Sequence, residues 1–159
     1  MNQGIVDIHG LVGHASDGMT PLVCVVDDDE SVRESLPDLL RSFGLPVRAF
    51  SSAERFLASD CVGRASCLIL DVSMPGMSGP ELERELKVRE SGIPIVFITA
   101  HGAEDGREQI LKNGAVDCLA KPFSEASLME AVRKALSLAG SRQAEVESSR
   151  LGKSDVSHT

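Results

Sequence analysis

Cys67-Leu68-Ile69-Leu70 is an apolar run that stops at Asp71 and leads into Met74-Pro75-Gly76. A short, uninterrupted apolar run between turn signals reads as a strand buried on both faces, a pattern that parallel sheets require. Asp71 then stands at the carboxyl end of that strand, where open α/β sheets form their ligand crevices. Pro75 presets the first turn angle, and Gly76 accepts a positive φ at the next position. Taken alone, an acid here could equally cap a loop. What decides its meaning is whether other strands end in the same way.

They do. Leu22-Val23-Cys24-Val25-Val26 is a second such run and ends in Asp27-Asp28-Asp29-Glu30. Ile93 to Ile98 ends in Thr99, and Val116 to Ala120 closes on Lys121-Pro122; Val47-Arg48-Ala49-Phe50 reads as a short strand. Helical spacing separates these runs. One helix carries Leu36, Leu39, Leu40 and Phe43 and stops at Gly44. A second is expected from a capping box of Ser51 and Glu54 through Leu57. Pro80 in a first turn opens a third through Leu82 and Leu86, and a fourth is expected from about Ala103 to Asn113. Leu128, Ala131, Val132, Ala135, Leu136 and Ala139 form the apolar stripe of a fifth, capped by Ser124.

Five strands alternating with five helices predict a doubly wound α/β domain with a parallel sheet, because parallel strands need crossovers. The domain is expected over 21–139. A flexible leader is read over 1–20 from its scattered glycines, and a disordered tail over 140–159 from its serine-rich, small polar composition.

With 24 acidic against 16 basic side chains the net charge is −8, which argues against broad contact with nucleic acid or anionic membranes. No apolar run approaches a membrane-spanning length and no signal-peptide pattern opens the chain, so a cytoplasmic location is expected. Cys24, Cys61, Cys67 and Cys118 show no C-x-x-C spacing and read as small buried hydrophobes.

Asp27, Asp28, Asp71, Thr99 and Lys121 all fall at or just beyond predicted strand ends, so the fold should gather them in one cleft. Two carboxylates about 4 Å apart repel by about 4 kcal/mol at an effective dielectric of about 20. A cation must offset that, and Mg²⁺ suits hard oxygen ligands while leaving positions for phosphate oxygens. The chemistry implied is phosphoryl transfer to a carboxylate, with Lys121 as a second, fixed positive charge.

At these residues the chain resembles a receiver domain of a two-component response regulator, closest to the FixJ-type subgroup. The matching segments are Val25-Val26-Asp27-Asp28, Leu68-Ile69-Leu70-Asp71 with Met74-Pro75-Gly76-Met77-Ser78-Gly79, Ile98-Thr99-Ala100, and Gly114-Ala115 leading to Lys121-Pro122-Phe123. The likeness covers about Pro21 to Leu138. It implies a flavodoxin-like sheet of strand order 2-1-3-4-5 and Asp71 as acceptor of a phosphoryl group from a histidine kinase or histidine phosphotransfer protein. It also implies that Mg²⁺ is held by Asp27, Asp28, Asp71 and the backbone carbonyl of Ser73. Thr99 would hydrogen-bond the phosphoryl group, and Lys121 would pair with it before a cis proline at Pro122. A downstream protein target and a phosphorylation-dependent homodimer are the further partners such a domain admits.

Two departures stand out. The family often carries an aromatic residue three positions before the lysine, where this chain has Cys118, so the switch is expected to rest mainly on Thr99. FixJ-type proteins commonly continue into a DNA-binding domain, and none is read here, which predicts output through protein contacts. Two other readings remain to be weighed. A Mg²⁺-dependent phosphohydrolase would need a general acid two residues after Asp71, where Ser73 stands. A degenerate receiver that only binds partners would not need the intact acid, threonine and lysine set. The expectation is therefore a switch that catalyses only its own phosphotransfer and dephosphorylation.

Overall fold

The computed structural model describes residues 20–100 and 104–140. The expected leader and tail, with Gly102 and Ala103, lie outside the described residues, save Thr20 and Gly140 at their edges. The strands are β1 (Leu22–Val26), β2 (Val47–Phe50), β3 (Ala65–Asp71), β4 (Ile95–Thr99) and β5 (Asp117–Ala120). The helices are α1 (Glu30–Ser42), α2 (Ala53–Leu57), α3 (Gly79–Val88), α4 (Glu104–Lys112) and α5 (125–140). All pairings are parallel and the strand order is β2-β1-β3-β4-β5, as the sequence predicts.

The sheet is covered on both faces. One side packs Leu36 and Leu40 of α1 and Leu128, Val132 and Leu136 of α5 against Val23, Val25, Ile69, Val96 and Ile98. The other packs Phe56, Leu82, Leu86 and Ile110 of α2, α3 and α4 against Cys24, Val26, Leu68, Leu70 and Phe97. Alternate residues of each central strand thus serve opposite cores, which explains why β1, β3 and β4 read as continuous apolar runs. Burying one such leucine contributes about 1.5–3 kcal/mol. The four cysteines are buried and free, as expected of small hydrophobes. Among the described residues no helix is long and apolar enough to cross a membrane.

Several boundaries differ from expectation. β3 starts two residues before the apolar run because Ala65 pairs with Leu22. β4 starts at Ile95, since Pro94 has no N–H and contributes only its carbonyl, which accepts from Leu68 N at 2.9 Å. The second helix is capped by Ser52, whose Oγ accepts from Arg55 N at 3.1 Å. Ser51 and Glu54 therefore do not form the expected capping box, and Glu54 is free for another role. A 3-10 turn over Asp60–Gly63 precedes β3 without any apolar period to announce it. A capping box that the sequence reading did not name opens α3 instead, with Ser78 N donating to Glu81 Oε1 at 2.8 Å and Glu81 N to Ser78 Oγ at 3.3 Å. Ser124 Oγ accepts from Ser127 N at 3.0 Å at the start of α5.

Candidate phosphoacceptor site

The parallel sheet sends the carboxyl ends of β1, β3, β4 and β5 to one edge, and each delivers a polar residue there. Asp27 follows β1 and is fully buried, whereas Asp28 is exposed beside it. Asp71 is the last residue of β3 and is 6% exposed. Thr99 ends β4, buried, with its Oγ1 donating to the Ala100 carbonyl at 3.2 Å. Lys121 follows β5, and its backbone N donates to the Thr99 carbonyl at 2.7 Å, tying those two strand ends together. The Lys121–Pro122 bond is cis.

One carboxylate oxygen from each of Asp27, Asp28 and Asp71 lies within 4.8 Å of the others. Lys121 Nζ donates to Asp27 Oδ2 at 3.0 Å and stands 4.0 Å from Asp71 Oδ2. Its position beside Asp71 fits the expectation, but in this state its hydrogen bond goes to Asp27. Asp27 Oδ1 accepts from Asp29 N at 2.9 Å, so both oxygens of this buried acid already have donors. Asp29 itself caps α1, with Oδ1 accepting from Ser31 N at 3.0 Å, and Glu30 occupies the first turn near the positive end of the helix dipole.

Burial disfavours the charge on Asp71, and the neighbouring charge of Asp27 adds to this. Lys121 offsets only part, so the Asp71 carboxyl is pushed up from 3.8 to about 7. Burial opposes the charge on Lys121, yet the hydrogen bond and charge of Asp27, then the charge of Asp71, outweigh it and raise the lysine pKa above its ordinary value. Three carboxylates facing one ammonium leave an unbalanced negative charge. Such a set of hard anionic oxygens is what a small divalent cation such as Mg²⁺ binds.

The loop after Asp71 is held by contacts the sequence did not disclose. Ser73 N donates to Asp71 Oδ1 at 3.4 Å, while Gly76 turns the chain at φ 76, as its place after Pro75 predicts. Glu54 of α2 accepts from Met77 N at 3.0 Å across 23 residues of sequence. At Gly79 an added Cβ would lie 2.3 Å from the Asp71 carbonyl oxygen, so that close approach of α3 to the site requires glycine. On the other side of the site, Arg107 of α4 donates from Nη1 to the Cys118 carbonyl and from Nη2 to Asp117 Oδ1, the latter at 3.2 Å. Cys118 points into the core and is 1% exposed, so no side chain at this position protrudes from β5.

Residues 23–133 match the family model described as the response regulator receiver domain. Nodulation protein W of Bradyrhizobium diazoefficiens is 45% identical over 129 residues, covering 81% of this chain and 57% of that protein. The chain thus spans little more than half the length of the curated relatives it matches, the share for TodT of Pseudomonas putida being 55%. Among solved structures, the response regulator StyR is 44% identical with a TM-score of 0.80, over 86% of this chain and 69% of that one. FixJ-N is 38% identical with a TM-score of 0.68, over 75% of this chain and 95% of that one. A match that runs from β1 into α5 and takes in each strand end gathered around Asp71 makes this chain a member of the response regulator receiver domain family.

Proposed function

We propose that this chain is a phosphorylation-dependent switch in which Asp71 accepts a phosphoryl group from the phosphohistidine of a histidine kinase or a histidine phosphotransfer protein. The observation that carries this reading is the convergence of Asp27, Asp28 and Asp71 within 4.8 Å beside Lys121. In the transfer, an Asp71 carboxylate oxygen bonds to phosphorus while the bond from phosphorus to the donor imidazole nitrogen breaks. Asp27, Asp28, Asp71 and the Ser73 carbonyl are the groups that would hold Mg²⁺, and that ion would neutralise charge on the phosphoryl oxygens. Lys121, already 4.0 Å from Asp71, supplies a second cation for those oxygens.

Thr99 supplies the link to the surface. Its hydroxyl donates to the adjacent Ala100 carbonyl, and a phosphoryl group on Asp71 offers it a stronger, charged acceptor. Moving a switch from 1:99 to 99:1 needs about 5.5 kcal/mol, which two or three charge-assisted hydrogen bonds of about 1.5–3 kcal/mol each supply. The output is a protein contact, with a downstream target or a second phosphorylated copy, made in the cytoplasm and catalysing nothing beyond its own phosphotransfer and dephosphorylation. We assign the domain no direct nucleic-acid contact, because its net charge of −8 opposes phosphate binding. The phosphohydrolase reading lacks its general acid, since Ser73 stands at that position.

Phosphotransfer from a panel of purified histidine kinases, resolved on phosphate-affinity gels with Mg²⁺ or with EDTA, tests the proposal. Rapid labelling by one or a few kinases in Mg²⁺ alone is expected. Equal labelling in EDTA would contradict the role of the acid cluster.

A further inference from the structure

At the opposite end of the sheet, where β4 begins and the chain enters β5, a cavity of about 380 Å³ opens between α3 and the α4–β5 connection. That volume lies in the range of small-molecule sites, roughly 300–1,000 Å³. Much of its wall is apolar, with Leu86, Ile93 and Val116, and polar residues break it, among them Glu83, Lys87, Ser91 and Asn113.

Among them a buried acid and a buried hydroxyl stand out. Glu83 is 4% exposed, and the cation paired with it, Lys87 Nζ, stands 4.0 Å away, beyond hydrogen-bond distance. Lys87 Nζ donates instead to the Asn113 carbonyl, which sets the ammonium on the cavity's far wall. Ser91 Oγ is buried without any partner, a state that costs about 1–3 kcal/mol for a hydroxyl. The backbone that places it is the end of α3. Glu90 adopts φ 56 as the left-handed cap that ends α3, with Glu90 N donating to the Lys87 carbonyl and Ser91 N to the Leu86 carbonyl, each at 3.0 Å. With its backbone N–H used in that cap, Ser91 leaves at the cavity lip a buried hydroxyl that nothing in the fold satisfies.

We infer that this cavity binds a small zwitterion with an apolar body, of the class of the aliphatic α-amino acids. The ligand's ammonium would meet the Glu83 carboxylate, its carboxylate would meet Lys87 Nζ, and Ser91 Oγ would bind either head group. The aliphatic side chain would rest on Leu86, Ile93 and Val116. Such a molecule separates two charges that now face each other without a hydrogen bond, and it removes apolar wall from water. The site shares no residue with the acid cluster around Asp71.

Titration of the full chain with L-leucine, followed by amide NMR shifts, tests this. Saturable shifts in the millimolar range or tighter are expected at Ser91, Ile93 and Val116, with Asp27, Asp71 and Lys121 unmoved. 4-Methylpentanoate, which lacks the ammonium, and 3-methylbutylamine, which lacks the carboxylate, should each bind about tenfold more weakly or worse. E83Q, nearly isosteric, should weaken leucine by a similar factor while leaving Asp71 phosphorylation by acetyl phosphate unchanged. Absence of saturable shifts with leucine, or equal binding of all three compounds to the wild-type chain, would overturn the inference.

Discussion

Replacing Asp71 by Asn should make the metal-free protein more stable, and the gain should depend on pH in a defined direction. Folding raises the Asp71 carboxyl from 3.8 to about 7, chiefly by burial and then by the charge of Asp27. At about 1.4 kcal/mol per unit this corresponds to about 4 kcal/mol against the ionised form. About half of that, roughly 2 kcal/mol, should be recovered in the variant, because the Asn amide still pays a burial cost and Lys121 loses one of its two acidic neighbours. A carboxyl whose pKa folding raises supports the folded state fully only below its unfolded value, and the support is lost as pH rises through the folded value. The advantage of Asp71→Asn should therefore be largest above pH 7 and shrink toward zero as pH approaches 4. Urea unfolding of both proteins in EDTA at intervals from pH 5 to 8 measures it. Added Mg²⁺ should reverse the order, stabilising the wild type more than the variant. An Asn variant no more stable than wild type at pH 8, or a difference that does not change with pH, would refute the electrostatic account of the cleft.

Gly79→Ala should cost about 2 kcal/mol in urea unfolding, because its Cβ would sit 2.3 Å from the Asp71 carbonyl oxygen and 3.0 Å from the Phe97 ring. Glu54→Ala should cost about 1 kcal/mol and speed hydrogen exchange at Met77, whose N–H loses its 3.0 Å acceptor. Thr99→Ala should leave Asp71 phosphorylation intact but abolish its effect on partner binding. Cys118→Ser should alter that effect only modestly, since the side chain is buried and small; the reverse pattern in partner pull-downs would place the switch at Cys118.

The strands were legible because a parallel sheet buried on both faces needs continuous apolar runs, and β1 and β2 fall where Leu22–Val26 and Val47–Phe50 predict. The strand-end polar residues were legible for a related reason, since chain direction alone puts Asp27, Asp71, Thr99 and Lys121 at one sheet edge. Their pairing was not. Lys121 binds Asp27 across 94 residues rather than Asp71, and that choice depends on side-chain reach across the sheet edge. Glu54 was misassigned because S-x-x-E spacing fits a capping box, whereas Ser52 took the cap and left Glu54 to a loop brought near by the fold. Arg107 carried no local signal either, as its partners Asp117 and Cys118 lie on the next strand. The orphaned Ser91 hydroxyl and buried Glu83 likewise acquire meaning only where α3 meets the sheet.

The most direct measurement traps the acyl phosphate chemically. After phosphorylation in Mg²⁺, borohydride reduction converts an aspartyl phosphate to homoserine, and peptide mass spectrometry locates the converted residue. Conversion at Asp71, lost in EDTA and in Asp71→Asn, is the result this account predicts. Conversion at another acid, or undiminished labelling of the Asn variant, would contradict it.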